Sequence, residues 1–325
     1  MTSAAAAFLV AAVVSMAVGA RVIRVLAGLK LRQTISEDAP ERHREKQGTP
    51  TMGGLIILIG AAVGVAVCRM TDPRVWAVVL MTLAFAALGF VDDYLIALRG
   101  KSLGLKARQK LLVQFLIAIG FVLWVNANRA VYPTVLPLWG DRTIDLAWLY
   151  YPFAVLLVVG MSNAVNLADG LDGLVAGLVT IAASTLGALV LGAHGANLGL
   201  VILAWALAGG CLGFLWYNCN PARVFMGDIG SLALGAALAG IAIAGRREFL
   251  FLIVGAIFAI EALSVMIQVV SFKTTRRRVF KMTPIHHHFE LSGWAEQKIV
   301  TRLWILQGLI SLAALAWVGV LRLWD

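Results

Sequence analysis

The sequence predicts an all-α membrane protein: a bundle of about ten transmembrane helices forming a single domain over residues 1–325. Three observations predict it. Of the 325 residues, 61% are hydrophobic and only 14% charged, with a mean hydropathy of +0.88, outside the range of soluble globular domains. Ten stretches approach the ~20 apolar residues that cross a bilayer. Lys and Arg gather in alternate connections between those stretches, as orienting charge does. No long polar stretch divides one apolar block from another, which favours a single membrane domain over two soluble ones.

The stretches run in order. Ala4–Val25 has no basic region before it and is followed by many more such segments, so it reads as a retained span and not a cleaved signal. Met52–Cys68, Val75–Ile96, Leu111–Val125, Trp148–Met161, Leu174–Leu191, Leu198–Tyr217, Ile229–Ala244, Phe249–Phe272 and Thr301–Leu323 follow. The cuts after Gly160 and near Gly245–Arg247 rest on glycine and short polar breaks, which a bundle tolerates when its neighbours satisfy the backbone. Residues 126–147, with Pro133, Pro137 and Asp141, have turn chemistry, and Val131 and Thr134 are strand-like residues that could pair within them.

Charge placement orients the bundle. Connection 28–50 carries Lys30, Arg32, Arg42, Arg44 and Lys46; 97–110 carries Arg99, Lys101, Lys106, Arg108 and Lys110; 273–300 carries Lys273, Arg276, Arg277, Arg278, Lys281 and Lys298. The opposite set holds only Arg69, Arg74, Arg129, Arg142, Arg246 and Arg247. The basic connections therefore belong in the cytoplasm and both termini outside. The net charge of +10 is first this loop charge and second an attraction to anionic lipid or phosphate, so nucleic acid is not an expected partner. Cys68, Cys211 and Cys219 are scattered and odd in number, which fits neither a disulfide framework nor a zinc site. No inverted repeat of the transporter kind is visible.

Five acids lie near the cytoplasmic ends of spans without a basic neighbour in sequence: Asp92, Asp93, Asp169, Asp172 and Asp228. Carboxylates at membrane depth are costly and mark candidate sites. Asp92 and Asp93, adjacent in GFVDDYL, would point about 100° apart on a helix, so they need not share a job. In NAVNLADGLDG the three-residue spacing of Asn166, Asp169 and Asp172 would put them on nearly one face of a helical turn, where a cap explains one of them but not three. NCNPARVFMGDIGS brings Phe225, an aromatic able to stack on a flat base, close to Asp228, a hard oxygen ligand suited to Mg2+ or, alternatively, a helix cap. His286, His287 and His288 follow a basic run; consecutive histidines converge poorly on one ion, so phosphate contact and proton handling rank above metal ligation. KQGTPTMGG, with Lys46 and Thr51, resembles a phosphate-cradling loop without Walker spacing. Glu261 is open to either a packing or a site-supporting role.

Taken together, GTPTMGG, DDY, NAVNLADGLDG, FMGDIGS and PIHHHFE occur in the order found in the phospho-N-acetylmuramoyl-pentapeptide transferases, a branch of the polyprenyl-phosphate N-acetylhexosamine-1-phosphate transferase superfamily, and the chain resembles that family over nearly its whole length. The resemblance implies a ten-helix inner-membrane enzyme with periplasmic termini, a cytoplasmic active site and a homodimeric state. It would use Mg2+ to transfer phospho-MurNAc-pentapeptide from UDP-MurNAc-pentapeptide to undecaprenyl phosphate, giving lipid I and UMP. It implies Asp228 as the metal ligand and Asp92 as the residue nearest the lipid phosphate, acting as its base, with Asp93 beside it. Lys46, Thr51, Asn166, Asp169, Asp172, Phe225 and Gln268 would line or border the uridine and diphosphate pocket, and His286 and His287 would bind the sugar phosphate. Thr283 stands where the family pattern leads one to expect a small residue before PIHHH, which bears on fine sugar contacts and not on the reaction. The rival within the class is transfer of GlcNAc-1-phosphate to the same lipid, against which the histidine triplet speaks. The rival outside it is an ion-coupled transporter, against which the clustering of acids at one face speaks.

Overall fold

A computed structural model describes residues 2–29, 48–68, 72–99, 104–128, 134–138, 142–193 and 196–319. Its helices are α1 (Thr2–Gly28), α2 (Gly54–Ala66), α3 (Pro73–Arg99), α4 (Ala107–Ala127), α5 (Tyr150–Ala168), α6 (Leu174–Leu191), α7 (Leu198–Asn218), α8 (Asp228–Ala244), α9 (Glu248–Val254), α10 (Ala256–Thr275), α11 (Ile285–Glu290) and α12 (Glu296–Trp317). Eight of the described helices are long and apolar enough to cross a membrane, and α2 and α8 are shorter apolar helices. The protein is thus an all-α, multi-pass membrane protein.

The short helices explain themselves by position. Every residue of α8 from Ile229 to Ala244 is buried, so its backbone ends meet protein and not lipid, and it need not match the ~30 Å hydrocarbon thickness. It lies between α3 and α5, with α2 alongside. Small side chains let α1 settle on α2 and α7: Ala4, Ala7, Ala11, Ala12 and Ser15 form its buried stripe, and Ser15 Oγ donates to Ile56 O at 3.1 Å. Close approach through small residues is how helices associate where no hydrophobic force separates helix from lipid.

Three expectations are modified. The fifth span does not stop at Met161 but runs on to Ala168, because the polar groups beyond Gly160 find partners inside the bundle: Ser162 Oγ donates to Leu232 O at 2.9 Å and Asn163 Nδ2 to Gln114 Oε1 at 2.7 Å. The ninth stretch is broken at Gly255 into α9 and α10. The histidine segment forms the short helix α11 instead of an open loop. The pairing expected near Thr134 occurs as a hairpin of β1 (Val135–Pro137) and β2 (Thr143–Asp145), antiparallel with Val135 opposite Asp145; Val131 lies outside the described residues.

Candidate active site

The site is assembled where the end of α3 meets the start of α8. Residues 50–54 run beside 225–226: Phe225 N donates to Pro50 O at 2.9 Å, Gly53 N to Phe225 O at 2.8 Å and Gly54 N to Met226 O at 2.8 Å. This ladder draws GTPTMGG and FMGDIGS together, and places buried Thr51 and half-buried Phe225 on one wall. Gly227 turns the chain into α8 at φ +73°, and a Cβ there would lie 2.5 Å from Asp93 Oδ2 and 2.9 Å from Thr51 Oγ1. Only glycine serves at this corner.

The adjacent aspartates divide as their angular separation predicts. Asp93 Oδ1 accepts from Asp228 N and its Oδ2 from Ile229 N, both at 3.1 Å. It caps α8, satisfying donors that a helix start leaves open. Asp92 faces the other way. Its Oδ1 accepts from Leu105 N at 2.6 Å and its Oδ2 from Lys110 Nζ at 3.3 Å. The same ammonium donates to Asp228 Oδ2, and Asp228 Oδ1 accepts from Asn166 Nδ2 at 2.7 Å. Asn166 Nδ2 also reaches Ser231 Oγ at 2.9 Å.

Lys110 and Ser231 were not legible in the sequence as site residues. Lys110 is the last base before an apolar stretch and reads as part of the orienting charge; its one distinguishing mark is that α4 carries it on the first turn inside the helix. In the fold it is partly buried, with its side chain 15% exposed, between two carboxylates.

The stripe expected from Asn166, Asp169 and Asp172 does not form, because α5 ends at Ala168. Asp169 lies in the following turn, where burial first, then the charges of Asp228 and Asp172, push its carboxyl up to about 7. Asp172 points elsewhere. Its Oδ2 accepts from Asn220 Nδ2 at 3.1 Å and Ala222 N at 3.0 Å, while its own N–H donates to Glu296 Oε1 at 2.7 Å. This network ties the α5–α6 turn to the α7–α8 connection and to α12.

Gln268 is a clamp for the basic segment before α11: its Oε1 accepts from Val279 N at 2.9 Å and Phe280 N at 3.0 Å, and its Nε2 donates to Phe280 O at 2.9 Å. His286 is fully buried, whereas His287 keeps 13% of its side chain exposed. Each has a carboxylate at Nδ1: Glu261 Oε2 at 3.0 Å for His286 and Glu290 Oε2 at 2.6 Å for His287. Lys46 lies outside the described residues.

The donor set suits a hard cation. Among the described residues no three His, Cys, Asp or Glu side chains form a closed metal cage, but Mg2+ takes one or two carboxylates plus substrate phosphates and needs none. Asp92 and Asp228 already hold one positive group between them, the Lys110 ammonium, and the hydroxyl of Ser231 lies close by through Asn166. With a divalent cation held there, such an arrangement would be able to bind a diphosphate and stabilise charge moving between phosphates.

Comparison with known proteins agrees with this geometry. Residues 75–246 match the glycosyl transferase family 4 model, and residues 46–58 match signature 1 of the phospho-N-acetylmuramoyl-pentapeptide-transferases. The phospho-N-acetylmuramoyl-pentapeptide-transferase of Pelotomaculum thermopropionicum is 49% identical over 98% of both chains. Those of Acetivibrio thermocellus and Ruegeria sp. are each 43% identical, over 94% and 96% of this chain and 92% of their own. With an acid-rich centre built from the motifs that define the match, and relatives of this identity over almost its full length, the chain belongs to the phospho-N-acetylmuramoyl-pentapeptide-transferases of glycosyl transferase family 4.

Proposed function

We propose that the protein transfers phospho-MurNAc-pentapeptide from UDP-MurNAc-pentapeptide to undecaprenyl phosphate, releasing UMP and forming lipid I for peptidoglycan synthesis. The observation that carries the reading is the convergence of Asp92 and Asp228 on Lys110, with Asn166 bonded to Asp228, in a chain of this family. In this reading the bundle has ten spans as one domain in the inner membrane. Both termini are periplasmic, and the acid-rich end faces the cytoplasm with the basic connections.

The reaction brings two anions together. An oxygen of the lipid phosphate attacks the phosphorus that bears the sugar, the bond from that phosphorus to the UMP oxygen breaks, and UMP departs. The attacking phosphate is already ionised near neutral pH, so a base contributes less than it would for an alcohol nucleophile. Asp92 accordingly acts less as a base than as an anchor: its two oxygens are engaged by Leu105 N and Lys110 Nζ. Asp228, with Asp92, would hold Mg2+, which when bound supplies charge neutralisation at the diphosphate. Lys110, paired with both acids, adds a second positive group there. Thr51, Asn166, Asp169 and Phe225 line the uridine and diphosphate pocket, with Asp172 and Gln268 holding its walls; Lys46, outside the described residues, would serve the same diphosphate. His287, the partly exposed histidine, meets the phosphosugar.

The test is UMP release in detergent, with and without undecaprenyl phosphate and Mg2+. Release that needs both, and disappears in Asp228→Asn, is the expected result. Release from UDP-GlcNAc instead moves the protein to the sister branch of the superfamily. Phosphorylated enzyme trapped with donor alone contradicts direct attack.

A further inference from the structure

Glu261 lies in the sixth position of α10, inside a candidate membrane span, and is 1% exposed. A buried carboxylate is costly unless it is paired and hydrogen-bonded. Here one oxygen, Oε2, holds His286 twice, by its ring Nδ1 at 3.0 Å and its backbone N–H at 3.4 Å. With Nδ1–H donating to Oε2, the two bonds set the ring's orientation. The opposite edge of the ring faces the turn between α5 and α6: a Cβ added to Gly170 would lie 2.3 Å from His286 Nε2 and 3.0 Å from Cε1. No side chain fits at 170 while the ring stays where Glu261 holds it. His286 Nε2 and Glu261 Oε1 are both buried without a hydrogen-bond partner among the described residues, an arrangement that packing alone would avoid.

The turn that the ring supports begins at the reacting centre. Asn166, four residues before Gly170, is bonded to Asp228, and Asp169 immediately precedes Gly170. His286 is itself wholly inaccessible, so it acts on a ligand through what it supports.

We propose that Glu261 is a positioning residue: acting through His286 and Gly170, it fixes the height of the Asp169 turn and thereby the seat of the nucleoside-diphosphate sugar. This rests on the reading that the turn faces the donor. The column is assigned to the donor seat alone, so acceptor binding is expected to be independent of Glu261. Glutamine retains an acceptor for Nδ1–H and leucine does not, which separates orientation from mere volume at position 261.

The experiment measures KM for UDP-MurNAc-pentapeptide and for undecaprenyl phosphate separately, in wild type, Glu261→Leu, Glu261→Gln, His286→Asn and the double variant Glu261→Leu/His286→Asn. The expected result is a donor KM raised roughly tenfold or more in Glu261→Leu, as sub-ångström displacement of a binding group produces. Glu261→Gln recovers most of it, the acceptor KM does not move, and the double variant is no worse than His286→Asn alone. A Glu261→Leu enzyme that loses only kcat, with both KM values intact, reflects a smaller folded fraction and overturns the proposal, as does full additivity in the double variant. Where Glu261→Leu does not fold, Gly170→Ala replaces it: its donor KM rises, and His286→Ala added to it brings recovery, whereas a Gly170→Ala enzyme with normal donor KM overturns the proposal. Wild-type enzyme inactive on this donor refutes the functional reading instead, so the two failures are distinct.

Discussion

At the end of the bundle where α3 begins and α8 stops, Asp72, Arg74, Arg246, Arg247 and Glu248 each have a hydrogen-bond partner. Arg74 chelates Asp72 through Nε at 3.2 Å and Nη2 at 2.8 Å, and its guanidinium holds that carboxyl below the usual range. Asn197 Nδ2 adds a bond to Asp72 at 2.7 Å. Arg246 Nη2 donates to Val135 O and Arg247 Nε to Leu189 O, both at 2.9 Å, and Tyr150 Oη to Glu248 Oε1 at 2.6 Å. Twenty residues further along α3, ~30 Å away, the arrangement is reversed. Among the described residues, Asp92 and Asp228 share the ammonium of Lys110, while Asp93 accepts from backbone N–H groups. The first end spends its polar groups on joining elements to one another. Among the described residues, the second leaves its carboxylates in excess of the one ammonium between them, which is the condition for taking up a cation.

That contrast can be broken at several points. The largest effect is expected from Asp228→Asn, which should lower UMP release about 10³-fold, in the range of removing a central electrostatic group, and abolish any thermal stabilisation of the protein by added Mg2+. Lys110→Met should follow, with a loss of about 10²-fold. Full activity in that variant would make the lysine an orienting charge after all.

Asp93→Ala should act on stability as well as rate, since two N–H donors of buried α8 lose their acceptor; ~1–2 kcal/mol is the usual cost of a lost cap, readable as a lower melting temperature. Asp93→Asn, which keeps one acceptor oxygen, should fall between.

The fourth effect is a pH dependence. Asp169 has its folded pKa raised to about 7, so the folded state binds the proton more tightly than the unfolded chain. Stability without Mg2+ should therefore fall as pH rises from the ordinary carboxylate value, ~3.9, through about 7, and level off above it. Asp169→Asn should flatten that part of the melting curve and stabilise the protein at alkaline pH; an unchanged slope would place the titration elsewhere. The smallest effect is expected at the opposite end. Arg74→Ala removes a partly exposed ion pair, side chains 41% and 29% exposed, for which ~0–1 kcal/mol is typical, and should leave UMP release unchanged.

Much of the site was legible because membrane depth makes polar residues conspicuous. Asp92, Asp93 and Asp228 stand out against apolar spans, and the ladder between 50–54 and 225–226 brings two of the recognised motifs together. Lys110 was hidden for the converse reason: in a loop rich in Lys and Arg one more base carries no signal until its partners are known. The separation of Asp172 from Asn166 was also beyond sequence, because three-residue spacing predicts a shared face only if the helix continues, and α5 stops at Ala168.

The sequence by itself determined the membrane class, the apolar segments, the expected orientation and the family, since each depends on composition, on charge in short connections or on motifs contiguous in the chain. Tertiary structure alone decided which carboxylate caps α8 and which meets Lys110, that Asp172 joins Glu296 and Asn220, and that Glu261 stands behind His286. These are choices among partners 18 to 136 residues apart. Hydrogen bonds and charge interactions at such separations depend on how helices pack, and local pattern carries no record of the contact.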